Sequence, residues 1–269
     1  MWINDQYFSF KQTLSGSIIL SATSCDILIV GAGIAGISAA VTSAQKGFHT
    51  ILLEKNIDFG GVIRSAYLNE MCGLFYADSM QSPIQLNSGL SKIFYNNLAN
   101  VEKHSLKQNG KVYVLPFQRR NLFTQIDNML KENSLLEYRN NQEMISLTRS
   151  STMIKNVTVK NNLTSETYTI KPKIVIDCSG AGCVLSAAEQ KDQEPICRQL
   201  AGVTIVLNCP ARCDAVLSLK VPYFLNLAVS EGIFFDCIKY TTISQGENSN
   251  ELNIKINIDS KNISFSDIN

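Results

Sequence analysis

Hydrophobic positions along the chain follow two rhythms, and the change comes near residue 135. Before it, short apolar runs alternate with stretches of helical period. Ile27–Val30 is a continuous apolar run of β type, as expected of a strand buried on both faces of a parallel sheet. Ile34–Lys46 is rich in small residues and reads as a helix, with Gly47 as its stop. Thr50–Leu53 supplies a second strand. Leu90, Ile93, Phe94 and Leu98 then form one helical stripe behind an Asn87 or Ser88 cap, and Leu122, Phe123, Ile126, Met129 and Leu130 form another. Both stripes read as core, with a short strand, Lys111–Leu115, between them.

From Leu135 the period shortens. "LLEYR", "EMISLT", "MIKNVTVKNN" and "TYTIK" read as strands, with "KNNLTSE" as a hairpin turn region. Ile174–Ile176 is another apolar strand running into a glycine turn. After Glu189, "QLAGVTIVLN", "FFDCIKYTTIS" and "ELNIKINI" predict sheet strands around a helix at Val221–Gly232. Pro222 would sit in its first turn, where a missing N–H is harmless. The whole predicts an α/β chain: an N-terminal extension at 1–24, a Rossmann-like parallel-sheet domain with an inserted β-meander at 25–189, and part of a mainly β substrate-binding domain at 190–269.

Between the first strand and helix lies G-x-G-x-x-G: Gly31, Gly33 and Gly36. The first glycine permits a tight bend, the second lets the backbone approach a pyrophosphate, and the third lets helix and strand pack closely. The helix N-terminus offers free N–H groups and the positive end of its dipole to an anion. Glu54 follows the second strand, where an acid accepts hydrogen bonds from a ribose diol and repels a 2′-phosphate. This is a dinucleotide site. Glu54 is followed by Gly60-Gly61 in "EKNIDFGGVIRSA".

That stretch, Asp26 through Arg64, resembles flavoproteins of the glutathione-reductase type, and more narrowly the FAD-dependent oxidoreductase family. "IVIDCSG" is similar to the strand by which those proteins return to the first sheet beside the cofactor, with Cys178, Ser179 and Gly180 in the small-residue turn. Family members often continue it as Gly-Asp-Gly-Asp; here the residues are Gly180-Ala181-Gly182-Cys183, so both acids are missing. The resemblance implies FAD as cofactor, held by Gly31, Ala32, Gly33, Ile34, Ala35, Gly36, Glu54, Lys55, Gly60, Gly61, Val62, Arg64, Cys178, Ser179 and Gly180, with main-chain groups near Met144 meeting the adenine. It also implies flavin-mediated oxidation or reduction of a small molecule. The flavin carries hydride transfer itself, so no catalytic residue is assigned. The chain ends at "NISFSDIN" with no later glycine-aspartate element and reads as the N-terminal part of a flavoprotein, truncated or completed at the flavin site by a second polypeptide or an oligomer. The alternative is a non-catalytic, degenerate FAD-binding subunit. An NAD-dependent dehydrogenase would need a catalytic His, Lys or Tyr arrangement, and none is evident.

Composition narrows the field further. A net charge of +1 with dispersed Lys and Arg argues against a nucleic-acid partner. Eight cysteines without a C-x2-C pair, and only two histidines, argue against a metal centre. "CPARC" places Cys209 and Cys213 either one helical turn apart or as two separate reduced thiols. Cys72 is either a substrate-facing thiol near the flavin or a buried inert one, and Arg64 either a phosphate or carboxylate fork or a surface residue. His49, just before a strand, reads as structural. With no signal peptide and no apolar stretch of membrane-spanning length, the expectation is a cytoplasmic protein without membrane contact.

Overall fold

A computed structural model describes residues 23–76, 83–102, 106–109, 112–189, 201–209, 216–246 and 248–258. His104, Cys197, Cys213 and the final "NISFSDIN" lie outside the described residues.

The main sheet has six strands. Its parallel part comprises β1 (Thr23–Val30), β2 (Thr50–Leu53), β8 (Leu136–Arg139) and β11 (Thr167–Asp177), and the sheet order is β8-β2-β1-β11-β10-β9. The last two strands, β9 (Gln142–Ser150) and β10 (Met153–Asn161), are the antiparallel meander. Strand β1 is central because it is apolar on both faces: Ile27 and Ile29 point to one side, Leu28 and Val30 to the other, and all four are buried. On the first side lie helices α1 (Ile34–Gln45), α3 (Leu90–Glu102) and α4 (Arg119–Lys131). Their buried residues, among them Ile37, Val41, Phe94, Leu98, Leu122 and Ile126, form one core with Ile29 and Leu52. On the other side Leu28, Val30, Ile51 and Leu53 pack with Met144, Val157, Val159 and Ile170. The two helical stripes are core, except that Ile93 is exposed.

Smaller elements connect these: α2 (Val62–Ser65), β3 (Glu70–Cys72), β4 (Phe75–Tyr76), β5 (Ile84–Gln85), β6 (Lys107–Asn109), β7 (Val112–Pro116) and α5 (Cys183–Ala187). Strands β3, β7 and β6 make a three-stranded antiparallel sheet, and β4 pairs with β5. Beyond them come β12 (Ala201–Asn208), α6 (Leu217–Ser230), β13 (Thr242–Gln245) and β14 (Glu251–Ile258), with the strands ordered β12-β14-β13. Thr204 Oγ1 donates to the Ala66 carbonyl at 2.8 Å, tying this sheet to the end of α2.

Three expectations are corrected. "TYTIK" and Ile174–Ile176 are one strand, β11, which pairs antiparallel with β10 from Thr167 to Ile170 and parallel with β1 from Ile170 to Asp177. "FFDCIKY" is no strand: Asp236–Tyr240 is a 3-10 turn, closed by the Ile238 N–H on the Phe235 carbonyl and by Lys239 on Asp236. Pro222 lies inside α6, which begins at Leu217. A proline there removes one intrahelical hydrogen bond and crowds the carbonyl four residues back; no residue of α6 is buried, so a bend displaces no core packing.

Close packing at the first glycine turn admits no side chain. A Cβ on Gly36 would stand 1.8 Å from the Gly31 carbonyl oxygen, and one on Gly31, whose φ is +101°, would stand 2.4 Å from the Cys178 oxygen. Gly36→Ala is therefore expected to cost at least about 3 kcal/mol, the upper part of the range for overpacking, because backbone on both sides must move. A chemical-denaturation curve checks this; a variant of unchanged stability would contradict the packing.

Candidate dinucleotide site

The site is built where β1, β2 and β11 end together. Val30 runs into Gly31, whose N–H donates to the Leu53 carbonyl at 2.8 Å, and the Cys178 N–H donates to the Val30 carbonyl at 2.8 Å. Gly33 caps α1 with ordinary extended angles, and a Cβ there would meet nothing within 4 Å. Its outward face is open, so the main chain can be approached closely from that side. Gly31 and Gly36 serve internal packing, whereas Gly33 leaves room for something external.

Glu54 follows β2 and is buried. Its Oε2 accepts the Ala32 N–H at 2.8 Å, and its Oε1 accepts the Asn56 N–H at 3.0 Å and Asn56 Nδ2 at 2.8 Å. A carboxylate offers about four acceptor positions, so three internal donors leave room for one more. Glu54 thus clamps the turn as well as presenting an acceptor. Asn56 had no motif to mark it; its part in the clamp is visible only in three dimensions.

The glycine pair packs on the same turn. The Gly60 N–H donates to the Ala32 carbonyl at 2.8 Å, and a Cβ on Gly61 would lie 3.0 Å from the Gly33 Cα. Val62 and Arg64 follow in α2. Arg64 donates from Nε to the Phe59 carbonyl at 2.8 Å, pairs with Asp58 at 3.4 Å and lies 4.1 Å over the Phe123 ring centroid. It braces the loop. Lys55 is exposed, and its carbonyl accepts from Asn162 Nδ2 at 3.0 Å.

A cleft of about 90 Å³ opens beside the turn, lined by Gly31, Glu54, Lys55, Gln142, Met144 and Ser179 among others. Of the residues expected from the sequence, Gly31, Glu54, Lys55, Met144 and Ser179 therefore share one cleft, while Gly33, Gly60, Gly61 and Val62 lie along the turn and α2. Gln142 was not expected. Its Oε1 is buried without a hydrogen-bond partner, an orphaned acceptor in the wall of the cleft.

The acid organising the third glycine turn is Asp177. Its Oδ1 accepts the Ser179 hydroxyl at 2.6 Å and N–H at 3.0 Å; its Oδ2 accepts the Val184 N–H at 2.8 Å and the Leu185 N–H at 3.2 Å. Burial opposes the charge, but these donors outweigh it and hold the carboxyl below its ordinary range. Ala181 and Cys183 line the cleft in place of the acids often found in the resembled family. Cys178 sits against the glycine turn, its thiol pushed up by burial and by the neighbouring Asp177 charge; burial likewise pushes Cys25 up to about 11. Thiols raised in this way are poor nucleophiles at neutral pH. Cys72 is exposed at the end of β3, which corrects the buried reading, and Cys209 follows β12.

A parallel sheet whose strand tips carry a glycine turn, a helix N-terminus and a ribose-type acid defines a dinucleotide-binding α/β fold. Comparison with known proteins specifies it: residues 26–193 match the model of the FAD dependent oxidoreductase family, and the chain belongs to that family. A stretch is 37% identical to thiamine thiazole synthase of Methanococcus maripaludis, covering 23% of this chain and 33% of that protein. The chain thus spans about a third of the length of the curated relatives it matches. Among solved structures, L-proline dehydrogenase from P. horikoshii superposes with a TM-score of 0.53 at 13% identity, over 88% of this chain and 71% of that one. The rebeccamycin biosynthetic enzyme RebC with reduced flavin gives 0.51 at 11% identity, over 92% and 49%. These likenesses establish the fold. No helix among the described residues is long and apolar enough to cross a membrane.

Asp177 carries a testable pH signature. Its folded pKa lies below its unfolded value, so its contribution is complete above the ordinary carboxylate range and is lost as pH falls through the lower folded value. Asp177→Asn is expected to lower stability by about 1–2 kcal/mol at neutral pH, as for lost charge-assisted hydrogen bonds. Denaturation across the acid range should show the wild-type advantage shrinking; an advantage independent of pH would contradict this account.

Proposed function

We propose that the chain binds FAD at this turn and is the cofactor-binding part of an oxidoreductase acting on a small molecule, with residues 25–189 as the FAD domain and 190–269 as part of the substrate domain. The observation that carries the reading is the open face of Gly33 beside the Glu54–Ala32 clamp. The residues fit the cofactor: the one remaining acceptor position on Glu54 suits a ribose hydroxyl, the N-terminus of α1 suits a pyrophosphate, and the orphaned Gln142 Oε1 suits an exocyclic amine. Main chain near Met144 would meet the base, and a cleft of this size takes a base edge rather than the whole dinucleotide. Gly60, Gly61 and Val62 would continue the binding surface; the Cys178-Ser179-Gly180 turn would close it from the β11 side. When bound, FAD supplies hydride acceptance. The protein's own part is to orient it and shield it from water.

A second reading, an FAD-binding subunit without turnover of its own, is favoured by the absence of acids at Ala181 and Cys183. Completion of the flavin site by further polypeptide is supported by exposed apolar residues on β12 and α6, including Leu207, Leu219, Tyr223 and Phe224. Thiols outside any disulfide at Cys25, Cys72, Cys178 and Cys183 support a reducing, cytoplasmic setting.

The purified protein is expected to show a flavin absorption spectrum, or to acquire one with added FAD, and to release FAD on denaturation. Gly33→Ala is the discriminating variant. Its backbone angles suit alanine and nothing obstructs the methyl group, so stability should change by no more than about 1 kcal/mol, the scale of an N-cap substitution. FAD affinity should fall at least tenfold. A colourless protein that does not take up FAD would refute the proposal. Bound FAD that no reductant or substrate panel turns over would favour the second reading.

A further inference from the structure

We propose that the groove between α3 and α4 is a recognition site for a short extended segment of another polypeptide, read through its main chain. Two adjoining cavities of about 400 and 270 Å³ run along these helices and share Asn97, Gln125 and Asn128 in their walls. The larger has the volume of an ordinary ligand site. None of the cofactor-cleft residues lines either cavity.

The lining chemistry selects the ligand. Asn97 and Asn100 on α3 face Gln125 and Asn128 on α4, so carboxamides dominate the walls. Each offers an acceptor oxygen and paired N–H donors, the complement of a peptide unit's own N–H and C=O. Gln125 provides the independent sign of a missing partner. Both its Oε1 and Nε2 are shielded from solvent, and neither has a hydrogen-bond partner. An amide left in that state costs free energy, which the half-buried Gln125 side chain would recover by turning into the groove onto a peptide group. The ends carry opposite charges, with Arg120 lining one cavity and Glu132 the other. Twelve residues of helix separate them, roughly 18 Å at 1.5 Å per residue. That length takes about five residues of extended chain, more than a monosaccharide would fill, with an acidic side chain toward Arg120 and a basic one toward Glu132.

The test follows the side-chain amide signals of Asn97, Gln125 and Asn128 by 1H–15N NMR on the full chain. The probe is a blocked peptide of alternating alanine and serine with aspartate at one end and lysine at the other. The signals are expected to shift saturably. Binding should weaken at least tenfold when alternate peptide nitrogens are methylated, and at least tenfold in the Gln125→Leu variant. That variant should be no less stable than wild type, because it removes an unsatisfied buried amide. Asn128→Ala, on an exposed position, supplies a second binding test should Gln125→Leu fail to fold. Absence of shifts at millimolar peptide, equal binding of the methylated peptide, or shifts produced by maltotriose instead of peptide would overturn the proposal. So would a loss of stability in Gln125→Leu, since the amide would then have an internal partner.

Discussion

No side chain can stand between the carbonyl of Gly31 and the backbone at Gly36, and the site depends on that exclusion. The helix approaches the strand so closely that even a methyl group would lie far inside van der Waals contact distance of the carbonyl oxygen. This proximity brings the helix N-terminus to the strand tip, lets the Cys178 main chain form the floor of the turn, and places Ala32 where Glu54 can accept its N–H. The first two are contacts of backbone with backbone, and the third sets a side-chain carboxylate on a backbone N–H. The geometry is therefore specified by the absence of side chains at two positions, and the remaining residues elaborate it.

Much of this was legible in the sequence where one local rule acted alone. Thr50–Leu53 and Ile34–Gln45 follow from an apolar run and a run of small residues bounded by glycine. The α3 and α4 stripes follow from period, Glu54 from its place at a strand end, and Met144 from the order of elements in the resembled family. The failures have physical causes. "FFDCIKY" has the aromatic and branched composition of a strand, yet its backbone hydrogen bonds are satisfied by a tight turn. The α6 start at Leu217 carries no cap or glycine signal, so Pro222 looked like a beginning. β11 continues through Pro172 because β10 pairs with it only as far as Ile170; beyond that, one flank has no ladder for a missing N–H to interrupt.

Asp177, Asn56 and Gln142 belong to a different class of omission. Their importance lies in hydrogen bonds, or in an orphaned acceptor, set by the tertiary fold; nothing in the neighbouring sequence marks them. Asp177 shows how a family pattern can mislead. Two acids are absent after Gly180, but the carboxylate that holds the turn together stands upstream, at the end of the strand. Its four donors come from Ser179, Val184 and Leu185. The turn's geometry is thus retained while its side-chain chemistry toward a ligand differs.

Strand β11 gives this architecture a temporal order. The turn after β1 is complete only when Cys178, nearly 150 residues later in the chain, has paired beside Val30. Contacts of such sequence separation carry a large loop-closure cost and form late. During synthesis the glycine motif emerges first yet lacks its floor until the meander has been made and β11 has returned. A ribosome-bound chain halted before residue 178 would carry the entire recognisable motif without the structure that gives it meaning.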